Sequence, residues 1–277
     1  MSADWPSAAE WLATPWEGAT LAVAGVPLAE GAVTPSRYDL TPGAVRARLE
    51  RFSTLHGERG VALPPVRDLG DSLDPPPLDA ALTVLVGGHN GVTFEALRRR
   101  DDLERWALLT LDAHHDVRPY EPGRPGNGSP VRALLDAGLL GEHVVQVGIA
   151  QFANSPVHRR WCDDHGITVH GPADVHLVPQ LLDRLAAMAA HVYVDLDVDV
   201  LDRASAPGAP GSRPGGLAAR DLLEVAFVAG AHPAVRCIDV VEVDAAADVA
   251  SITVDVAVLC LLNAAAGFGT RDTASLV

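Results

Sequence analysis

Two short stretches of this chain put acidic and imidazole side chains at every second position: Asp112-Ala-His114-His115-Asp116 and Asp195-Leu-Asp197-Val-Asp199. Each follows an apolar run, residues 106–111 and 191–194, which predicts the end of a buried strand. Alternation along a strand aims Asp112, His114 and Asp116 to one side, and Asp195, Asp197 and Asp199 likewise. Carboxylates crowded in this way repel one another unless positive charge sits among them. A salt-bridge network would need several Arg or Lys, and only Arg118 and Arg203 are near in sequence. A pair of divalent cations is the more economical answer. His89, from Gly87-Gly88-His89-Asn90, adds an imidazole, and the charges of Asp112, Asp116, Asp197 and Asp199 match two such ions. His115 points away from His114 and reads as a packed core residue. Asp195 and Asp202 read either as partners that hold a ligand in place or as strand-end caps.

Short apolar runs alternate with helix-like stretches, the pattern of a mostly parallel sheet covered on both faces. Strands are expected over 20–26, 82–86, 106–111, 144–149, 167–170, 191–200 and 235–243. Helices are expected over 42–52, 93–100, 130–137, 156–164, 178–190, 218–229 and 248–265. The last is rich in Val and Ala, and its length and Ala content favour helix over strand. His89, the 112–116 motif, Asp197, Asp199 and Glu242 all fall just past strand carboxyl ends, the edge where open α/β sheets bind ligands. The Pro- and Gly-rich stretches 119–130 and 204–216 follow ligand strands directly and read as loops lining the site. With no internal boundary favouring two units, residues 1–277 are expected to form one α/β domain.

A formal charge of -15 and a pI near 5.0 argue against nucleic-acid or anionic-membrane binding, which need clustered basic residues. Cys162, Cys237 and Cys260 lack metal-type spacing and read as reduced, buried thiols. No basic, apolar leader and no membrane-length apolar run is recognisable, so a soluble, cytoplasmic protein is expected. Carboxylates and imidazoles without thiolates suit Mn²⁺ or a similar ion better than structural zinc. Two such ions ~3.5–4 Å apart can share a water and lower its pKa, which implies hydrolysis.

The motifs resemble the ureohydrolase superfamily of arginases, agmatinases, guanidinobutyrase-like enzymes and formimidoylglutamases. The likeness runs from Thr41-Pro42-x-x-Val45-Arg46 through Gly-Gly-His89, Leu111-Asp-Ala-His-x-Asp116 and Asp197-Val-Asp199-x-Leu-Asp202 to Ala206-Pro-Gly208 and Asp239-Val-Val-Glu-Val243. It implies that His89, Asp112, Asp116 and Asp197 hold one Mn²⁺, and that Asp112, His114, Asp197 and Asp199 hold the other. It implies further a three-layer α/β/α fold around a parallel sheet of about eight strands, a homo-oligomer (trimer or hexamer), and a contact from Glu242 to a cationic amidine or guanidine substrate. The chain departs from the family with Gly88 where Asp is usual, Asn127 where agmatinases and arginases place a His, Arg203 for Pro, and Asp195 for Ser or Thr.

Arg118, two residues past Asp116, would repel a guanidinium and attract a carboxylate. A surface residue leaning on Asp116 or Glu121 is the competing reading. Formimidoylglutamases are similar to the chain here, in Asn127-Gly-Ser-Pro130, in the loop Pro207-Gly208-x5-Pro214-x-Gly216-Leu217 and around Phe152-x-Asn154. The resemblance therefore implies hydrolysis of N-formimidoyl-L-glutamate, a histidine-catabolic reaction. Asp199 would act at the tetrahedral intermediate and Glu242 would hold the amidinium. Arg118, with Asn127, Asn154 or Arg213, would bind the glutamate carboxylates. A urea-releasing guanidino hydrolase, a metallophosphatase and a catalytically silent, metal-stabilised oligomer are the alternatives, the phosphatase disfavoured by its reversed motif order.

Overall fold

In the computed structural model, which describes residues 5–121 and 123–271, the apolar runs become the strands of one sheet. Helix α1 (Ala8–Ala13) precedes strand β1 (Leu21–Val26) and helix α2 (Thr41–Arg48). A small antiparallel hairpin, β2 (Leu55–His56) and β3 (Val61–Ala62), leads into β4 (Val66–Asp71) and β5 (Leu82–Gly87). Next come α3 (Gly91–Leu97), β6 (Trp106–Leu111), α4 (Pro130–Asp136), β7 (Val144–Val147), α5 (Pro156–Asp164) and β8 (Thr168–His170). The remaining elements are α6 (Val178–Met188), β9 (His191–Asp197), α7 (Ala219–Ala231), β10 (Val235–Val241) and α8 (Ile252–Phe268).

Eight strands pair in parallel in the order β4-β1-β5-β10-β9-β6-β7-β8. Every residue of β1, β5 and β6 is buried, because both faces of the sheet are covered. On one face Val84 and Val194 pack with Leu182 of α6, Leu222 of α7 and Leu261 of α8. On the other, Leu85, Leu108 and Tyr193 pack with Leu97 of α3, Leu134 of α4 and Cys162 of α5. The result is the expected three-layer α/β/α arrangement. All three cysteines are free and buried.

The Val- and Ala-rich segment near the carboxyl end is a helix, as its length implied. It starts at Ile252 rather than 248, because the Asp248 carboxylate accepts from the Thr253 and Val254 amides and caps the helix from outside. The small β2–β3 hairpin, strand β4 and helix α1 escape the apolar pattern. Strand β4 lies at the sheet edge with only Val66 buried, so its polar residues carry no strand signature. Helix α1 is a single short amphipathic turn set by a Ser7–Glu10 capping box. Strand β9 stops at Asp197 and gives way to a tight 3₁₀ turn over Val198–Val200, so it is shorter than the expected 191–200.

Helices α7 and α8 cross closely where Gly230 lies against the main chain of Ala264, leaving no room for a Cβ. Gly230→Ala should therefore force the two helices apart and cost ~1–3 kcal/mol by overpacking. Chemical denaturation of the two proteins checks this; equal midpoints would mean that the crossing can relax.

Candidate functional site

Four adjacent strands, β5, β10, β9 and β6, deliver the polar residues at their carboxyl ends. The register sets Val241 beside Asp197 and Leu111 beside Leu196, so the segments that follow converge above the middle of the sheet. Past the strand ends, local turns do the aiming. The Asp112 carboxylate accepts from the His114 amide at 2.6 Å, Asp197 accepts from the Asp199 amide at 2.8 Å, and Asp199 accepts from the Ala113 amide at 3.2 Å. Asp116 and Glu242 both hold positive φ, 51° and 66°, a strained backbone that a side chain adopts only where its surroundings fix it.

Two clusters result, each with one ligand atom per residue within 4.8 Å of the others: Asp112, His114 and Asp199, and Asp112, Asp116 and Asp197. Asp112 belongs to both. Burial, then the charge of Asp199, pushes Asp112 up to about 7. Burial, followed by neighbouring carboxylates, raises Asp116 and Asp197 well above the usual carboxylate range. Burial opposes a charge on His114, yet Asp112 and Asp199 outweigh it and push the imidazole up to about 11, its Nδ1 lying 2.9 Å from Asp199. Burial also works against ionised Asp199, but the same His114 contact and the Ala113 amide hold it below the usual range. Among the described residues no Arg pairs with the clusters; His114 supplies their only ion pairs. Hard carboxylate oxygens plus one imidazole fit a pair of divalent cations such as Mn²⁺.

The structure redraws the expectation for His89. Its Nδ1 accepts from the Gly91 amide and its Nε2 lies 2.8 Å from the Glu30 carbonyl, so both ring nitrogens face main chain and neither enters a cluster. Asn90 turns inward instead, its Nδ2 at 3.2, 2.9 and 3.4 Å from Asp112, Asp116 and Asp197. The motif is thus displaced by one residue from the alignment that set Gly88 at an Asp position. Gly88 has the Leu28 main chain packed where a Cβ would project, so no side chain fits there.

Glu242 is buried, which raises its pKa against the donors that surround it: Tyr38 hydroxyl at 2.7 Å, Asn90 amide at 2.9 Å and Asn127 Nδ2 at 2.8 Å. Asn127 also accepts from the Val33 amide, tying the segment after β1 to the carboxylate. Asn154 does not reach the site; its amide donates to the Ala113 carbonyl and accepts from the His115 amide, bracing the 112–116 turn. His115 packs in the core against Gln146, as read from its direction. Asp202 caps the following loop through the Ala204 and Gly215 amides, and Arg203 reaches the Ala209 and Pro210 carbonyls of the same loop. Asp195 faces Asp239 across β9 and β10, where burial and then the Asp239 charge raise it well above its usual range. Burial also pushes Asp239 up to about 6, against its donors Thr93 and Tyr193.

Against the clusters lies a cavity of about 150 Å³, lined by the buried Asp116, Asp197, Asp199, Glu242 and Tyr38, by the half-buried His114 and Asn127, and by the exposed Arg118 and Arg213. Sequence reasoning does not single out Tyr38, Asn90 or Thr93. Tyr38 and Thr93 carry no motif signal, whereas Asn90 stands beside His89 in the same Gly-Gly-His-Asn stretch. Among the described residues no helix is long and apolar enough to cross a membrane.

Comparison with known proteins places these features in context. The Arginase family profile matches residues 77–267. The formimidoylglutamase of Halalkalibacterium halodurans is 31% identical, over 90% of this chain and 88% of its own. The crystal structure of formimidoylglutamase from Bacillus subtilis superposes with a TM-score of 0.87 at 28% identity, over 98% of this chain and 94% of that one. The Trypanosoma cruzi formiminoglutamase, solved with Mn²⁺, shares the fold with a TM-score of 0.84 at 24% identity, over 97% of this chain and 100% of that one.

Raised carboxyl pKa values make the clusters a pH-dependent liability. Asp112 contributes stability below its unfolded value of ~3.9 and loses it as pH rises through about 7. A divalent cation offsets that loss. The rise in melting temperature on exchanging EDTA for Mn²⁺ is therefore expected to be largest at pH 8 and to shrink towards pH 5; a pH-independent rise would contradict it.

Proposed function

Because the chain belongs to the arginase family, we propose that it hydrolyses N-formimidoyl-L-glutamate to L-glutamate and formamide at a pair of Mn²⁺ ions. It is a formimidoylglutamase-like hydrolase of C–N bonds. One observation carries the choice of substrate. Arg118 and Arg213 are both exposed, make no ion pair among the described residues, and line the cavity whose floor is the carboxylate cluster. On a chain with a formal charge of -15, two unpaired guanidinium groups at one mouth favour a substrate with two carboxylates and disfavour a guanidinium.

A divalent pair held by Asp112, His114, Asp116, Asp197, Asp199 and Asn90 supplies Lewis acidity towards water and the amidine. In this reading Arg118 and Arg213 hold the glutamate carboxylates. Glu242, kept in place by Tyr38, Asn90 and Asn127, accepts from the N–H groups of the formimidoyl amidinium. Water adds to the formimidoyl carbon, and the bond from that carbon to the glutamate nitrogen breaks. Asp199, lining the cavity against His114, is positioned to take the proton water loses and return it to the leaving nitrogen. His89 has no part in this scheme. The same reading takes residues 1–277 as a single domain of a cytoplasmic homo-oligomer, a trimer or hexamer.

Purified protein loaded with Mn²⁺ is expected to release formamide and glutamate from formimidoylglutamate, and no urea from arginine, agmatine or guanidinobutyrate. Urea release would replace this reading with a guanidino hydrolase, and metal uptake without turnover on any of the four would favour a silent oligomer. Arg118→Ala should raise KM for formimidoylglutamate ~10–100-fold, the loss of one charge-assisted hydrogen bond. An unchanged KM would remove the argument for an acidic substrate.

A further inference from the structure

Asn90 stands at the centre of the acidic cluster, and what lies behind it is a chain of three side chains. Its Oδ1 is 3.1 Å from the Thr93 hydroxyl. That hydroxyl is 2.7 Å from Oδ2 of Asp239, which also accepts from the Tyr193 hydroxyl at 2.7 Å. All four residues are buried, so no solvent competes for these bonds.

The hydrogens available decide the arrangement. Thr93 has one hydroxyl hydrogen and two acceptors within reach, the Asn90 amide oxygen and the Asp239 carboxylate. The carboxylate is both nearer and the stronger acceptor, so it takes the hydrogen. The Thr93 oxygen is then left with lone pairs facing the lone pairs of Asn90 Oδ1, and an amide in that orientation gains nothing from Thr93. Turned over, the amide donates from Nδ2 to the Thr93 oxygen and directs Oδ1 at Asp112, Asp116 and Asp197. An oxygen facing three carboxylates is tolerable only around a cation. The N–H groups that otherwise face those carboxylates would repel the same cation.

We propose that Thr93, its hydroxyl hydrogen held by Asp239, is the positioning residue that turns the Asn90 amide oxygen towards a divalent cation among Asp112, Asp116 and Asp197. The amide then has two orientations, nitrogen inward against bare carboxylates and oxygen inward on the cation, and the Thr93–Asp239 pair favours the second. This rests on the reading of the site as a two-cation centre, and it selects one of the two positions: the cluster of Asp112, His114 and Asp199 has no Asn90 contact to His114 or Asp199 and lies outside the device.

The test is Mn²⁺ binding to the full, metal-stripped chain, followed by the electron paramagnetic resonance signal of free Mn²⁺ so that no turnover is needed. The wild type is expected to take up two equivalents. Thr93→Val, which replaces the hydroxyl by a methyl of similar size, should weaken one equivalent ~10–100-fold, the usual cost of losing a partner behind a metal ligand, and leave the other unchanged. Thr93→Ala carries the same expectation should the valine variant fold poorly, and Thr93→Ser should bind as the wild type does. Asn90→Asp presents an oxygen whichever way it turns, so adding Thr93→Val to it should cause no further loss. Wild-type affinity for both equivalents in the Val and Ala variants would overturn the proposal alone, as would a Thr93→Val effect of equal size in the wild-type chain and in the Asn90→Asp variant. A wild type that binds no Mn²⁺ would overturn the two-cation reading and the proposal with it.

Discussion

Mutual repulsion among buried carboxylates is the constraint around which the molecule is arranged. Asp112, Asp116, Asp197, Asp199 and Glu242 are all buried at one edge of the sheet, and the groups offsetting them are few. His114 contributes a proton to one side, Asn90 two amide hydrogens to the other, and Tyr38 and Asn127 hold Glu242. Parallel strands with both faces covered make such crowding possible. The strands beneath are buried among apolar side chains, the main chain is already paired, and only the strand ends are free to turn towards one point.

Most of the sheet could be read from sequence because apolar runs identify strands covered on both faces. The edge strand β4 could not, since five of its six residues are exposed. The acidic motifs were legible for a reason that the structure modifies. Alternation was expected to align Asp112, His114 and Asp116, yet β6 ends at Leu111 and β9 at Asp197. The aiming is done by carboxylates that accept from amides two residues on and by the positive φ of Asp116. Of the motif residues named, Asp112, His114, Asp116, Asp197 and Asp199 converge while Asp195 faces Asp239 within the sheet, and apart from Asp197 at the end of β9 the geometry bringing them together belongs to turns.

The same limit explains His89 and Asn90. Beyond the end of β5 no period-two rule applies, and imidazole is the more familiar ligand, so the neighbouring amide carries no signal of its own. What settles the matter is long-range packing. Leu28 fills the space beside Gly88, and the main chain at Glu30 and Gly91 occupies the His89 ring. Tyr38 is 204 residues from Glu242 in sequence, and no local pattern could join them. Asn154 shows the converse. The likeness of its Phe152-x-Asn154 stretch to formimidoylglutamases suggested a substrate contact, while its amide is committed to the Ala113 carbonyl and the His115 amide.

The strand order has a bearing on how the chain acquires its centre. β10 is the final strand in sequence, yet it lies between β5 and β9 and is the piece that joins β4-β1-β5 to β9-β6-β7-β8. Until it is inserted, Asn90 belongs to one half of the sheet and the aspartates to the other. Because β6 and β9 pair directly, a chain emerging from the ribosome crowds its aspartates within one half-sheet, and it gains the Asn90 amide and Glu242 beside them only in the last and most non-local pairing. The step that joins the two half-sheets is thus the same step that completes the lining of the centre.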